Sequence, residues 1–313
     1  MRLPGLRPGR RVKMRGRGVE SMRQRQLTLV YSFLFLLPAL AIFCLLLLTP
    51  IAQAIHQSFY SWKGIAGAPM KPVGFNNYIS IFTNPLFWRS LTNSLILMAG
   101  GFLVLMPLSF ILALIITSNI KGVRLYKTAY FMPVMLPITA VGLMWVYMLE
   151  PNWGLVNTLL RSMGLGKFAI AWLAIPTVNV VVVTLVNEWI YAGLNMLIFA
   201  AGLVAIDESL YEAGQIDGTT GWQRIRYITL PLCKNSFKVF SVMCVTGCLK
   251  AFDLIYAMTK GGPNQTSEMP ATFLYSQAFT YRYFGMGNAV GTIILILGLV
   301  LSLIINKALT QED

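Results

Sequence analysis

The residues best able to do chemistry in this chain are those that an apolar segment has least reason to hold. Glu188, Tyr191 and Asn195 recur at i, i+3 and i+7 in an otherwise apolar run, with Trp189 beside them. That spacing sets the three polar side chains on one helix face. Lys250 and Asp253 stand i, i+3 in another such run, with Tyr256 one turn further on. A polar group inside hydrocarbon costs free energy, so each must face a cavity or a partner. Lys250 and Asp253 read either as a structural ion pair or as part of a pathway. Uncharged polar groups with aromatic rings suit a neutral hydroxylated solute, because hydroxyls both donate and accept while rings cover the apolar face of a sugar.

Other chemistry is missing. Gly164-Leu165-Gly166-Lys167 lacks the upstream glycine of a phosphate-binding loop and continues with Phe168, so the chain carries no ATPase site. One histidine and 11 acidic residues leave little for catalysis, and no zinc-protease helix motif, serine elbow or facing carboxylate pair stands out. Cys244 and Cys248 share a face at i, i+4, but His56 lies far away in sequence and no further ligand joins them, so no metal site is expected. All four cysteines lie in or beside apolar runs, where they read as small packing residues.

The elements that must position these residues are membrane spans. The 313 residues are 56% hydrophobic and 12% charged, with mean hydropathy +0.66, against roughly 25% charge in a soluble domain. About 20 apolar residues cross a bilayer as a helix. On that measure the sequence predicts an all-α polytopic protein with six spans, near 28–55, 90–117, 126–149, 177–202, 235–258 and 286–309. The first exceeds a secretory h-region and reads as a retained span. Pro38, Pro107, Pro133 and Pro137 fall inside spans, where neighbouring helices tolerate kinks.

The net charge of +14 does not indicate nucleic acid, because the Lys and Arg residues lie in the gaps between apolar runs. Residues 1–27 hold nine of them; Lys121, Arg124, Lys127, Arg224, Arg226, Lys234, Lys238 and Lys307 fall on the same side. Only Lys63, Lys71, Arg89, Arg161, Lys167, Lys260 and Arg282 fall on the other. The bias puts both termini and the 203–234 loop in the cytoplasm. The domain reading is a basic cytoplasmic tail over 1–27 and a transmembrane domain over 28–313. The outward loops are short and aromatic, as interfacial belts are.

The 203–234 loop is the longest polar interlude. Asp207 or Ser209 can cap a short helix, Asp217-Gly218 supplies a break, and a second amphipathic stretch with Trp222, Ile225, Ile228 and Leu230 ends at Pro231. It reads either as a helix pair lying on headgroups or as a docking knob for a soluble partner.

Residues 211–231 resemble the EAA signature of permease subunits in binding-protein-dependent ABC importers, here Glu212-Ala213-Gly214 followed by Asp217-Gly218-Thr219, with Gly for the third residue of the triplet. The tail from Trp222 through Arg224 to Leu230-Pro231 is similar to the carbohydrate branch. So are Phe75-x-Asn77-Tyr78 with Asn93-Ser94, Leu136-Pro137 with Trp145, Pro151-x-x-Gly154-x-x-Asn157, and Phe252-Asp253-x-Ile255-Tyr256-x-x-Thr259-x-Gly261-Gly262-Pro263 with Thr266 and Tyr275. The resemblance implies a maltose/glycerol-3-phosphate-like permease in a bacterial or archaeal plasma membrane. It implies a coupling helix between the fourth and fifth spans that sits in a cleft of an ATPase, using Glu212, Ala213, Gly214, Asp217, Gly218 and Arg224. It further implies a second permease subunit, two cytoplasmic ATP-binding subunits that hold ATP and Mg, and an extracytoplasmic solute-binding protein that delivers a sugar. A glycerol-3-phosphate or polyol cargo, and more remotely a multi-pass membrane enzyme, remain open readings.

Overall fold

The computed structural model describes residues 31–65, 67–118 and 120–309. The basic tail and the first residues of the first span lie outside them. The chain divides into a unit ending at Gln53 and a unit from Ala54 onward.

Four helices are long and apolar enough to cross a bilayer: α1 (Tyr31–Gln57), α3 (Pro85–Thr117), α7 (Val178–Val204) and α13 (Phe284–Leu309). Between α1 and α3 an antiparallel pair of two-residue strands, β1 (Tyr60–Ser61) and β2 (Lys71–Pro72), leads into α2 (Asn76–Phe82). Two bent pairs bring the possible spans to six among the described residues. The first pair is α4 (Val123–Met135) with α5 (Ile138–Met148), bent by 95°. The second is α9 (Gly221–Leu232) with α10 (Lys234–Lys250), bent by 65°. Short helices α6 (Leu155–Ser162), α8 (Glu208–Ile216), α11 (Asp253–Met258) and α12 (Pro270–Tyr275) fill the connections.

Prolines explain most departures from straight helix. A proline lacks the N–H that would bond four residues back, and its ring strikes that carbonyl. The chain answers three times with a widened π turn ending two residues earlier: Cys44–Leu48 before Pro50, Gly101–Leu105 before Pro107 and Ile225–Thr229 before Pro231. In each, the residue before proline donates five residues back, as Met106 does to Gly101, so the helix continues. Pro231 therefore does not end its helix as the sequence reading has it; Leu232 does. The third predicted span, 126–149, is not one helix. Leu136 is extended (φ −79°, ψ 146°), as a residue preceding proline prefers, and Pro137 opens α5.

The predicted span 235–258 is also interrupted. Ala251 (φ −60°, ψ 115°) and Phe252 (φ −131°, ψ −61°) leave the helix, so Lys250 ends α10 and Asp253 begins α11. The two residues do not share a helix face, and among the described residues no ion pair joins them.

Within residues 54–309, α7 is the central post, packed by α3, α4 and α10. Small residues set the approach. A Cβ on Gly193 would collide with the carbonyl of Tyr130 in α4, and one on Gly101 would collide with Cys244 Sγ in α10. Phe110, Phe199, Phe237 and Phe240 interlock α3, α7 and α10, with ring centroids 4.9–5.7 Å apart.

The loops at the other end of α7 from Val204 are locked by buried amides. Asn179, fully buried, donates to Gly262 O (3.0 Å) and Thr266 Oγ1 (2.9 Å). Asn93 donates to the carbonyls of Thr266 and Glu268, both at 2.8 Å. Asn157 donates to Pro151 and Ile170 carbonyls and accepts from Trp172 Nε1 at 2.7 Å. Leu replacement of Asn179 should remove its two buried bonds, leaving the Gly262 carbonyl only its bond from Ser267 Oγ (2.8 Å), and cost about 2 kcal/mol, read as a thermal shift of a few degrees in the detergent-purified protein; an unchanged midpoint would show that the lock contributes nothing.

Candidate functional site

A cavity of about 280 Å³ opens between α3, α7, α10 and the α10–α11 break. The wall from α7 carries Glu188, Tyr191 and Asn195, the face that sequence spacing sets together; Lys250, Phe252 and Asp253 come from the break. The break serves the site: by leaving the helix at Ala251, the chain turns a ring and two charged side chains onto one cavity wall.

Glu188 is 2% exposed; among the described residues neither carboxyl oxygen has a partner at hydrogen-bonding geometry, and the polar side chain that approaches the carboxyl is that of its neighbour Asn187. Its room comes from Gly100, where a Cβ would collide with Thr184 Cγ2 and lie 3.2 Å from Glu188 Oε1. Thr184 Oγ1, one turn before Glu188, is likewise buried without a partner. Asn195 spends its amide on the Tyr191 carbonyl (3.0 Å), leaving its oxygen to accept. Lys250 and Asp253 are exposed.

Two of the predicted residues lie elsewhere. Trp189 is half exposed on another face of α7 and meets Trp145 edge to face at 5.7 Å. Tyr256 reaches the cavity only through Phe252, on which it stacks at 5.0 Å and 17°. Behind them Tyr275 and Phe279 extend the aromatic stack at about 5 Å spacing. Sequence reasoning missed Gly101, Asn187, Cys244, Cys248 and Phe252 as wall residues. The Gly100-Gly101 doublet inside an apolar run was the available signal, since a glycine pair in a span marks close approach.

At the Val204 end of α7 lies the polar loop. Asp207 caps α8 by accepting from Ser209 N (2.9 Å), a bond that holds its carboxyl below the usual carboxylate range. Gly218 has φ +75°, and Thr219 returns both its N–H (2.9 Å) and its hydroxyl (2.6 Å) to the carbonyl of Gly214. That closes α8 with a left-handed C-cap, which glycine alone adopts without Cβ strain. Thr220 then opens α9 with a capping box to Gln223.

Glu212, Ala213 and Asp217 are exposed. Gly214 is not: it is buried against Ile228 of α9, where a Cβ would lie 3.0 Å from Ile228 Cδ1. The glycine thus lets the two helices of the loop approach each other. Arg224 lines a second cavity, of about 650 Å³, with Tyr211 and Thr229 between this loop and the ends of α3 and α7. Ile216 (87% exposed) and Trp222 (70%) flank the Asp217-Gly218 turn, so the apolar side chain that the sequence reading assigns to an amphipathic face stands clear of the chain.

Fold and site define a polytopic helical membrane protein with a polar cavity against its central helix and a capped helix–turn–helix at one end. The chain belongs to the family of binding-protein-dependent transport system inner membrane components, whose signature covers residues 105–312; it is a membrane transport component and not an ATPase. It is 32% identical over 277 residues to the "Probable ABC transporter permease protein YurN" of Bacillus subtilis, covering 88% of this chain and 94% of that one. It is 31% identical to the diacetylchitobiose uptake system permease protein NgcF of Streptomyces coelicolor, covering 90% and 84%. Its fold matches a chain of a bacterial alginate ABC transporter solved in complex with an alginate pentasaccharide-bound periplasmic protein, with TM-score 0.77, 25% identity and coverage of 94% and 98%.

Proposed function

We propose that this chain is one of two permease subunits in an ATP-driven importer and that a sugar crosses along the Glu188–Asp253 cavity. The observation that carries the proposal is the convergence of Glu188, Tyr191 and Asn195 with Lys250, Phe252 and Asp253 on one cavity. Acceptors beside a ring are what a sugar with hydroxyl edges and apolar faces needs. The diacetylchitobiose and alginate cargoes named for similar proteins support the same class. A phosphate-bearing polyol would call for a cluster of cations, and Lys250 is the only one among the described wall residues.

In this reading residues 28–313 form the permease domain, with both termini and the 203–234 loop in the cytoplasm of a bacterial or archaeal cell. Glu212, Ala213, Asp217 and Gly218 meet a cytoplasmic ATPase, Gly214 and Arg224 hold the loop's own geometry, and ATP and Mg bind on the partner subunits. ATPase closure moves α8 as a lever, switching the spans between inward- and outward-open states. The loops locked by Asn93, Asn157 and Asn179 face the solute-binding protein.

The test is uptake of a labelled sugar panel by the complete complex reconstituted in liposomes. Tyr191→Ala with Asn195→Leu should lower uptake about tenfold, the loss of one or two good contacts, while partner subunits co-purify as before. Full uptake in the double variant would remove the cavity from the pathway.

A further inference from the structure

We infer that the cavity selects saccharides that bring hydrogen-bond donors, neutral or amine-bearing, and rejects anionic ones, with Glu188 as the specificity-determining residue. The inference rests on the cavity being the sugar pathway.

Buried polar groups are almost always satisfied. Glu188 lines the cavity, is 2% exposed and among the described residues has no partner at hydrogen-bonding geometry for either oxygen, the nearest polar help being the Asn187 side chain; Thr184 Oγ1 beside it is also unpartnered. Glycine at position 100 lets α3 approach closely there, where a Cβ would lie 3.2 Å from Glu188 Oε1 and collide with the Thr184 methyl without supplying a donor. What the carboxyl lacks is a donor. The demand holds in both protonation states, because a carboxylate accepts at two oxygens and the neutral acid still has a carbonyl oxygen to fill. A sugar hydroxyl or ammonium supplies the donor; a uronate, sulfonate or phosphate presents acceptors and negative charge there.

The charge balance points the same way. The described wall carries two carboxyls, Glu188 and Asp253, against one ammonium, Lys250. Asp253 and Lys250 are exposed and screened by water, whereas Glu188 is buried, so in its ionised form an unfavourable charge contact is felt most there. Like-charge juxtaposition is an effective means of refusing a ligand that otherwise fits.

The experiment is equilibrium binding of three labelled disaccharides of equal size to the complete transporter in nanodiscs, without the solute-binding protein, so that only the membrane cavity discriminates. One disaccharide is neutral, one carries an amine and one carries a uronate. The neutral and amine-bearing sugars should bind, and the uronate at least about tenfold more weakly, the order of cost for one uncompensated charge contact. Glu188→Gln should bring the uronate within about threefold of the neutral sugar by removing that contact. Lys250→Gln should widen the gap, and it reads the same balance should the Glu188 variant fail to assemble. Equal binding of all three by the native complex, or a ratio unmoved by either variant, overturns the selectivity and leaves the pathway reading standing. Binding of none of the three overturns the pathway reading along with it.

Discussion

Gly193→Leu should leave no folded subunit in the membrane, and Gly193→Ala should already cost about 3 kcal/mol, the upper range for overpacking a tight contact. The reason is what stands opposite. A Cβ at position 193 would meet the Tyr130 carbonyl oxygen and, at 2.6–2.7 Å, the Tyr130 carbonyl carbon and Phe131 Cα, all of them backbone. A side chain can swing away from an intruding methyl; a helix backbone must move whole. α4 bears on α7 here, on the opposite side of the same stretch of helix that carries Glu188, Tyr191 and Asn195. A forced shift would therefore disturb packing and cavity together. The measurement is the monodisperse fraction and thermal midpoint of a detergent-extracted fluorescent fusion. Gly298→Ala is the control: nothing lies within 4 Å of a Cβ there, in the middle of α13, and alanine is the better helix former by about 1 kcal/mol. Equal behaviour of the two alanine variants would refute the close-packing account.

The contrast between Gly193 and Gly298 also marks what the sequence could and could not say. Both are glycines in apolar runs, and hydropathy treats them alike. Only the neighbour distinguishes them, and the neighbour of Gly193 comes from a helix about 60 residues earlier. Span positions were legible because a 20-residue apolar run is a local property; α7 and α13 fall within two residues of their predicted bounds. The breaks were less so. Leu136-Pro137 announces its bend through the restriction on a residue before proline, yet Pro107 and Pro231 carry the same side chain and are absorbed by π turns. Burial does not separate the cases either, since the π turn before Pro50 forms with none of its residues buried.

The candidate site was legible in proportion to its helicity. Glu188, Tyr191 and Asn195 follow 3.6-residue spacing on an unbroken helix and share the cavity. Lys250, Asp253 and Tyr256 were read on the same spacing, but the helix ends at Lys250, so Lys250 and Asp253 reach the cavity by a different geometry and Tyr256 falls behind Phe252. The resembling motifs in the loops have a physical explanation that the sequence did not supply. Asn93, Asn157 and Thr266 with Gly262 are the donors and acceptors that satisfy buried loop backbone, and a Cβ at Gly154 would collide with the Glu150 carbonyl.

Gly218→Pro should reduce sugar uptake by the assembled complex more than tenfold while the subunit remains inserted, because the turn rather than the spans is what it breaks. Proline is fixed near φ −65°, and Gly218 stands at φ +75°. Proline there also removes the N–H that bonds to the Gln215 carbonyl, and the displaced turn pulls Thr219 from Gly214. α8 then loses the cap that fixes its angle to α9, and with it the placement of Ile216 and Trp222 on either side of the turn. On the proposed coupling role, the variant subunit should still occupy the membrane but no longer transmit closure of the ATPase. Glu212→Ala should act by another route. Glu212 is exposed and has no side-chain partner among the described residues, so its loss should leave the thermal midpoint unchanged and weaken only the association with the ATPase. Gly218→Asn separates the two causes, since asparagine tolerates the left-handed region and should keep most transport. Uptake and stimulated ATP hydrolysis are measured on the same proteoliposomes. If Gly218→Pro and Glu212→Ala both transport like the native chain, the 203–234 loop is not the coupling element, and its exposed Trp222 and Ile216 need another partner.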